Sequence, residues 1–318
     1  MTTLDQVDSK DLKILEILSK DSRTNLYKIA KICEISSTAV LTRIRKLKKK
    51  KVIVGSKLVL ANGALGYPCR ATIGVTADIN KIHEVFDEIR CHPNVTLSNK
   101  SIGRYNIVAY VISTDLNELE KITQRIKSIP GIKGIAINII TETSYVKGFD
   151  IKHKEPAISK VNNVDLAIIK ELMIDSQLAF SEIATRVGVT PGTVRKKFEK
   201  LKTKGIIISC SIIIDYSKLG YEGLAFIFVR QAQGTEKIMI IEELRKIQSI
   251  LLIDSLVGAF DIVIHALLND LNSLVEIVEE IQSIHSVGQI DVCLVPITYY
   301  WSYPIPRSPI KINRVELT

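Results

Sequence analysis

Residues 7–53 of this chain repeat as residues 161–207 without a gap, at a constant offset of 154 positions, with 15 of the 47 aligned pairs identical. Asp11/Asp165, Leu18/Leu172, Ser22/Ser176, Ile29/Ile183, Ala30/Ala184 and Leu47/Leu201 are among them. A period this long marks duplicated domains and excludes a solenoid of short units. One half therefore predicts the fold of the whole, and function turns on where the halves differ.

Charge is concentrated in the repeated segment. The chain of 318 residues carries a formal +9. From Asp8 to Lys51 there are 13 Lys/Arg against 5 Asp/Glu, a net of +8, and from Asn162 to Lys204 there are 8 against 5, a net of +3. The remainder is slightly acidic, so the positive charge sits where a nucleic-acid partner would require it. The apolar stretches, such as Ile206 to Ile214, are too short to cross a bilayer, and the start Met1-Thr2-Thr3-Leu4-Asp5 lacks the pattern of a signal peptide, so a cytoplasmic protein without membrane partner is expected. Five cysteines (Cys33, Cys69, Cys91, Cys210, Cys293) and five histidines (His83, His92, His153, His265, His285) show neither disulfide nor metal spacing. The thiols are expected to be reduced and packed as small apolar groups. No metal, cofactor or catalytic residue is expected.

In the first module Asp8, with Asp11 three residues on, predicts the start of a helix through Leu12, Leu15 and Leu18 that ends near Asp21. Asn25 predicts the cap of a second, short helix through Ile29-Ala30 to Cys33, and Ser36 the cap of a third with inner face Val40, Ile44 and Leu47. The outer face of the third helix is Ser37, Thr38, Leu41, Thr42, Arg45, Lys48 and Lys49. In the second module Val187-Gly188-Val189 predicts the turn, Thr190 the cap and Pro191 the first helical position. The inner face becomes Val194, Phe198 and Leu201, and the outer face Gly192, Arg195, Lys196, Glu199 and Lys202. Three helices with a tight turn before the third are a helix-turn-helix pattern. Glu34 stands at the position of Gly188, so the first turn is expected to differ slightly.

Each module is followed by a strand-like run and then by a β-α-β-β-α-β order, the ferredoxin-like arrangement. In the first half this reads as strand Cys69–Thr76, helix Ile79–Arg90, strands Val95–Ile102 and Tyr105–Ile112, helix Leu116–Ile129 and strand Ile132–Tyr145. The offset to the second copy becomes 155 from Gly103/Gly258 onward, so one residue was gained between Tyr67 and Gly103. Asp115 and Asp270 read as N-caps. The expected fold class is α+β: two tandem copies of a winged-type helix-turn-helix, each followed by a βαββαβ ferredoxin-like domain. The expected divisions are 1–53, 54–147, a linker over 148–160, 161–207, 208–302 and an extended tail over 303–318. The linker is long enough for the two halves to pair within one chain, so an intramolecular pseudo-dimer or a homo-oligomer is expected.

The run Val7-Asp8-Ser9-Lys10-Asp11-Leu12-Lys13-Ile14-Leu15, the Ile29-Ala30 pair, the Leu-Gly-Tyr triplets at 65–67 and 219–221, the Gly-x-aromatic hairpins and Val187-Gly188-Val189-Thr190-Pro191-Gly192-Thr193-Val194-Arg195 resemble the Lrp/AsnC family of transcriptional regulators. The resemblance covers nearly the whole chain twice and implies binding to double-stranded DNA by the helix-turn-helix. It also implies a ferredoxin-like (RAM-type) domain that dimerises and senses a small molecule, commonly an amino acid. The DNA-binding residues expected are Ser37, Thr38, Thr42, Arg45, Lys48 and Lys49 in the first copy and Gly192, Arg195, Lys196 and Lys202 in the second, early outward residues facing bases and later lysines facing phosphates. The hairpin residues Gly103, Tyr105, Gly258, Phe260 and Asp261 are the expected effector site, with the second copy favoured because Asp261 is a carboxylate where the first copy has Asn106. For the same glycines and acid, a purely structural role in the turn is the competing reading.

Two alternatives share these features. Siroheme decarboxylases are similar in plan, but the histidine and arginine that the resemblance implies near the hairpin are absent from Ser98–Gly103 and from Leu251–Leu256, although Arg104 follows directly. A nonspecific architectural DNA binder would differ from a regulator only in its specificity ratio.

Overall fold

The computed structural model of the chain describes residues 7–146 and 161–297. The expected linker over 148–160 and tail over 303–318 lie outside the described residues.

Each copy opens with three helices. In the first these are α1 (Ser9–Lys20), α2 (Leu26–Cys33) and α3 (Ser37–Lys49). Asp8 and Asp11 form a reciprocal capping box on α1, Asn25 caps α2 through the Lys28 N–H, and Ser36 caps α3 through the Ala39 N–H. Between α2 and α3 the backbone at Glu34 is left-handed, with φ 55° and ψ 46°; Gly188 adopts the same conformation in the second copy, with φ 76° and ψ 36°. The expected difference in the turn is therefore absent. The first copy keeps the geometry and holds a Cβ in a region that disfavours it.

A strand, β1 (Ile53–Leu60), leaves the first module. There follow β2 (Cys69–Ala77), α4 (Ile82–Cys91), β3 (Val95–Lys100), β4 (Ile102–Gly103), β5 (Ile107–Ser113), α5 (Leu116–Lys127) and β6 (Ile132–Val146). The helix expected from Ile79 starts as a 3-10 turn over Ile79–Lys81, and the strand expected over Val95–Ile102 breaks at Ser101. The second copy repeats the order as α6 (Asn163–Ile174), α7 (Phe180–Val187), α8 (Pro191–Thr203), β7 (Ile207–Ile214), β8 (Gly223–Gln231), α9 (Lys237–Leu244), β9 (Ile250–Gly258), β10 (Ile262–Leu268), α10 (Leu271–Gln282) and β11 (Val287–Pro296). Asp115 and Asp270 cap α5 and α10, as the sequence predicts. Ala77 pairs with Ile132 and Gln231 with Val287, which narrows the added residue of the second copy to the segment after β8 and before β9.

The halves are joined by strands. β1 and β7 pair antiparallel, and the register places Lys57 opposite Ser211, its own counterpart at offset 154, so a pseudo-two-fold axis passes there. Among the described residues the other strands form one nine-stranded sheet in the order β3-β5-β2-β6-β9-β10-β8-β11-β4. β6 meets β9 and β11 meets β4, so each half adds its last strand to the other half. Because β4 continues the chain of β3, the sheet wraps back on itself and presents two faces to each other.

Period-2 alternation sorts the side chains of this sheet. Ala225, Ile227 and Val229 of β8 face α9 and α10, whereas Leu224, Phe226 and Phe228 face inward. The inward core mixes copies: Tyr105, Val108, Tyr110 and Ile140 from the first pack with Phe226, Phe228, Leu256, Phe260 and Cys293 from the second. Its two sides are unlike. At offset 154, Phe226 and Phe228 correspond to Thr72 and Gly74, and a Cβ added at Gly74 would lie 2.5 Å from the Tyr105 ring. The second copy supplies the bulk and the first supplies the room. A fold built this way is a covalent heterodimer held by an apolar core.

Candidate nucleic-acid interface

The third helix of each module is fastened to the first by a basic residue that the sequence pattern did not single out. Arg43 of α3 reaches Asp8 at 2.6 Å and Asp11 at 2.8 Å. Lys197, its counterpart on α8, reaches Asp165 at 2.8 Å and Asn162 at 3.1 Å. The offset of 154 between these pairs was the available signal: a basic residue is kept at this one inner-flank position in both copies. The Asp11 N–H and then Arg43 hold the Asp8 carboxyl below the usual range of aspartate. The capping box thus anchors the helix that carries the recognition surface.

That anchoring leaves the expected outer faces open. Thr38, Thr42, Arg45, Lys48 and Lys49 are exposed and Ser37 is half-buried; on α8 Gly192, Arg195 and Lys196 are exposed. Each helix begins at a side-chain cap and ends among lysines, so its early turns are free for base edges and its last turn is cationic. Two of the expected phosphate contacts are drawn elsewhere. Lys202 is half-buried, 3.5 Å from Asp21 of the first module, and Lys48 donates to Gln177 of the second at 3.2 Å. These two lysines, equivalent at offset 154, lie at the seam between the modules. Among the expected phosphate ligands, Lys49 has no such diversion.

The hairpin residues divide between the core and the surface. Tyr105 and Phe260 are buried at 4% and 2% exposure in the core between the sheet faces, where Phe228 meets both rings, at 5.6 Å and 5.3 Å. Their N–H groups are taken by the opposite copy: Cys293 Sγ accepts from Tyr105 at 3.3 Å and Asn138 Oδ1 accepts from Phe260 at 3.1 Å. Gly103 and Gly258 are surface residues in close backbone contact with the other half. A Cβ at Gly103 would lie 2.1 Å from the Val292 carbonyl oxygen, and one at Gly258 would lie 2.5 Å from that of Ile137. Asp261 is half-buried and accepts the Gln231 N–H at 2.9 Å, as Asn106 accepts that of Ala77. The acid and the amide do the same backbone work, which weakens the carboxylate as a mark of an amino-acid pocket.

Cys33, Cys210 and Cys293 are buried as expected, whereas Cys91 is exposed and Cys69 half-exposed. Among the described residues no cluster of His, Cys, Asp and Glu has the makings of a metal site, and no helix is long and apolar enough to cross a membrane.

Known proteins match this geometry. The family model for the AsnC-type helix-turn-helix domain matches residues 7–48 and again 162–202, and that for the Lrp/AsnC ligand binding domain matches residues 70–147, which lie in the first copy. An uncharacterised HTH-type transcriptional regulator of Pyrococcus horikoshii is 32% identical over 115 residues, covering 36% of this chain and 72% of that protein. The regulatory protein AsnC of Haemophilus influenzae is 35% identical over 81 residues, covering 25% of this chain and 54% of AsnC. The crystal structure of the siroheme decarboxylase NirDL superposes with a TM-score of 0.65 at 13% identity, over 90% of this chain and 91% of that one, a likeness of fold. This chain belongs to the Lrp/AsnC family of DNA-binding transcriptional regulators, with both helix-turn-helix modules carried on a single polypeptide.

Proposed function

We propose that one chain reads the two halves of a non-palindromic operator, α3 on one half-site and α8 on the other. The observation that carries this is the unlikeness of two helices that are otherwise presented alike: Thr38, Leu41, Thr42 and Arg45 on α3 stand where α8 has Gly192, Arg195, Lys196 and Glu199. Arg45 suits the acceptor edge of guanine, and Glu199 suits the amino group of cytosine. Ser37 and Lys49 flank the first set, Lys49 as a phosphate ligand, and the seam lysines Lys48 and Lys202 contribute less. The protein acts in the cytoplasm as a regulator and not as an enzyme; the regulators among its sequence relatives support this. Its effector is a small molecule, such as an amino acid, held at the outer rim of the ferredoxin-like domains beside Gly103, Gly258 and Asp261, with Tyr105 and Phe260 supporting from the core.

The test is binding to oligonucleotides selected by the wild-type protein. Arg195→Ala should weaken discrimination in one half of the recovered motif by about 1–3 kcal/mol and leave the other half intact. Equal loss in both halves would contradict the assignment of α8 to one half-site. Purified protein with tetrapyrrole absorbance and decarboxylase turnover, and without DNA retardation, would overturn the regulator reading.

A further inference from the structure

The two helix-turn-helix modules touch directly. Ser22 Oγ lies 3.4 Å from Ser176 Oγ, its counterpart at offset 154, so the turns that follow α1 and α6 meet on the pseudo-two-fold axis. The next residue breaks the symmetry. In the second copy it is Gln177, whose Nε2 donates to the Ser22 carbonyl at 3.0 Å. In the first it is Arg23, half-buried, whose Nη2 donates to the Leu178 carbonyl at 2.7 Å. The Arg23 guanidinium also stands 4.5 Å from the ring centre of Phe180 and 5.3 Å from that of Phe198.

These rings belong to the DNA-reading unit of the second module. Phe198 is on the buried face of α8, and Phe180, the first residue of α7, packs on it at 5.2 Å. Arg195, on the exposed face of α8, has its guanidinium 6.0 Å from the same Phe180 ring. A cation of the first module is therefore stacked on the aromatic base that supports the recognition surface of the second. At the equivalent position in the other direction stands the Gln177 amide, which donates to the Ser22 carbonyl and accepts from Lys48.

We propose that Arg23 is a positioning residue that locks α8 to the first module and so sets the separation and helical phase of the two recognition helices, making the protein selective for the spacing between its half-sites. This rests on the reading of both modules as DNA-binding. One inserted base pair moves a half-site by about 3.4 Å and turns it by roughly 35°. A packed guanidinium and ring contact follows shifts of tenths of an ångström, so a misplaced half-site must either deform the DNA or open the seam. A rigid seam penalises the wrong spacing, and a loosened one tolerates it.

The experiment measures affinity of the full chain for the selected operator with zero, one and two base pairs inserted or deleted between the halves, and for a single half-site. Wild type should lose about tenfold or more at the first insertion. Arg23→Ala removes a charged hydrogen bond and two cation–π contacts, each cation–π contact worth roughly a factor of two to five, and should flatten the profile to within about threefold. Its single half-site affinity should stay within about twofold of wild type, because Arg23 lies on neither recognition helix. Arg23→Lys keeps a donor and a cation at the rings and should restore most of the spacing preference. A profile for Arg23→Ala that superimposes on wild type overturns the proposal, as does a loss that is uniform across spacings and half-site alike. If wild type itself shows no sequence preference, the DNA reading fails first, and that result is distinct from either.

Discussion

Truncation of Phe228 to alanine probes the inter-copy core at its centre. The side chain is fully buried and lies between the Tyr105 ring of the first copy, at 5.6 Å and nearly perpendicular, and the Phe260 ring of the second, at 5.3 Å. The Tyr105 ring also rests against Gly74, which offers no side chain to fill a void. The strands on both sides are held in register, β8 by β10 and β11 and β2 by β5 and β6, so the site has little freedom to collapse. Phe228→Ala should therefore fall in the full range for buried aromatic truncation, about 3–5 kcal/mol, of which the two ring contacts account for about 1–3 kcal/mol. With a urea m-value of about 3 kcal/mol per molar, the unfolding midpoint of the sandwich should drop by roughly 1–1.7 M. Far-ultraviolet circular dichroism and tyrosine fluorescence should move together, because Tyr105 and Tyr110 share this core. A transition that splits in two, with the first-copy tyrosines unmoved, would refute a common core.

Glu34→Gly should raise stability by about 0.5–1 kcal/mol, the relief of a left-handed side-chain residue less the entropy of glycine, and Gly188→Ala should lower it; thermal melts of both variants check the sign. His265, hydrogen-bonded to Tyr110 in the inward core, is pushed down to about 3 by burial, so the unfolded chain binds its proton first. Its contribution is complete above about pH 6.5 and lost as pH falls, so the stability difference between wild type and His265→Phe should shrink toward pH 4 by up to about 1.4 kcal/mol per unit; a difference independent of pH would refute it. Burial pushes Asp254 up to about 6, with Arg70 and Thr143 opposing, so its sign is reversed: in Asp254→Asn the penalty that wild type meets as pH rises through 6 should be absent from the urea midpoints.

Much of this architecture could be read locally. Asp8, Asn25, Ser36, Thr190, Asp115 and Asp270 each cap the helix they precede, since a cap depends on a few residues and one turn of backbone. The outer faces of α3 and α8 were legible for the same reason, as helical periodicity separates Val40 and Leu47 from Thr38 and Arg45. What was not legible depends on which surfaces meet. Tyr105 and Phe260 flank hairpin glycines whether the hairpin opens to solvent or folds into a core, and only the strand exchange of β4 with β11 and β9 with β6 decides it. The exchange of bulk between Phe226/Phe228 and Thr72/Gly74 was present in the aligned copies, but its meaning required knowing that the Tyr105 ring packs against both Gly74 and Phe228. Lys202 reads as a phosphate ligand on a helical wheel and as an ion pair to Asp21 once the second module is docked on the first.

The most direct test of a two-headed regulator is selection of random double-stranded DNA by the full chain, with affinities followed across salt concentrations. A non-palindromic motif bound with one chain spanning both halves, with a log–log salt slope of several phosphate contacts, is the expected result. A perfectly palindromic motif, with each half bound equally well by either module, would contradict the division of labour between α3 and α8, and retention without sequence preference would contradict regulation by this protein altogether.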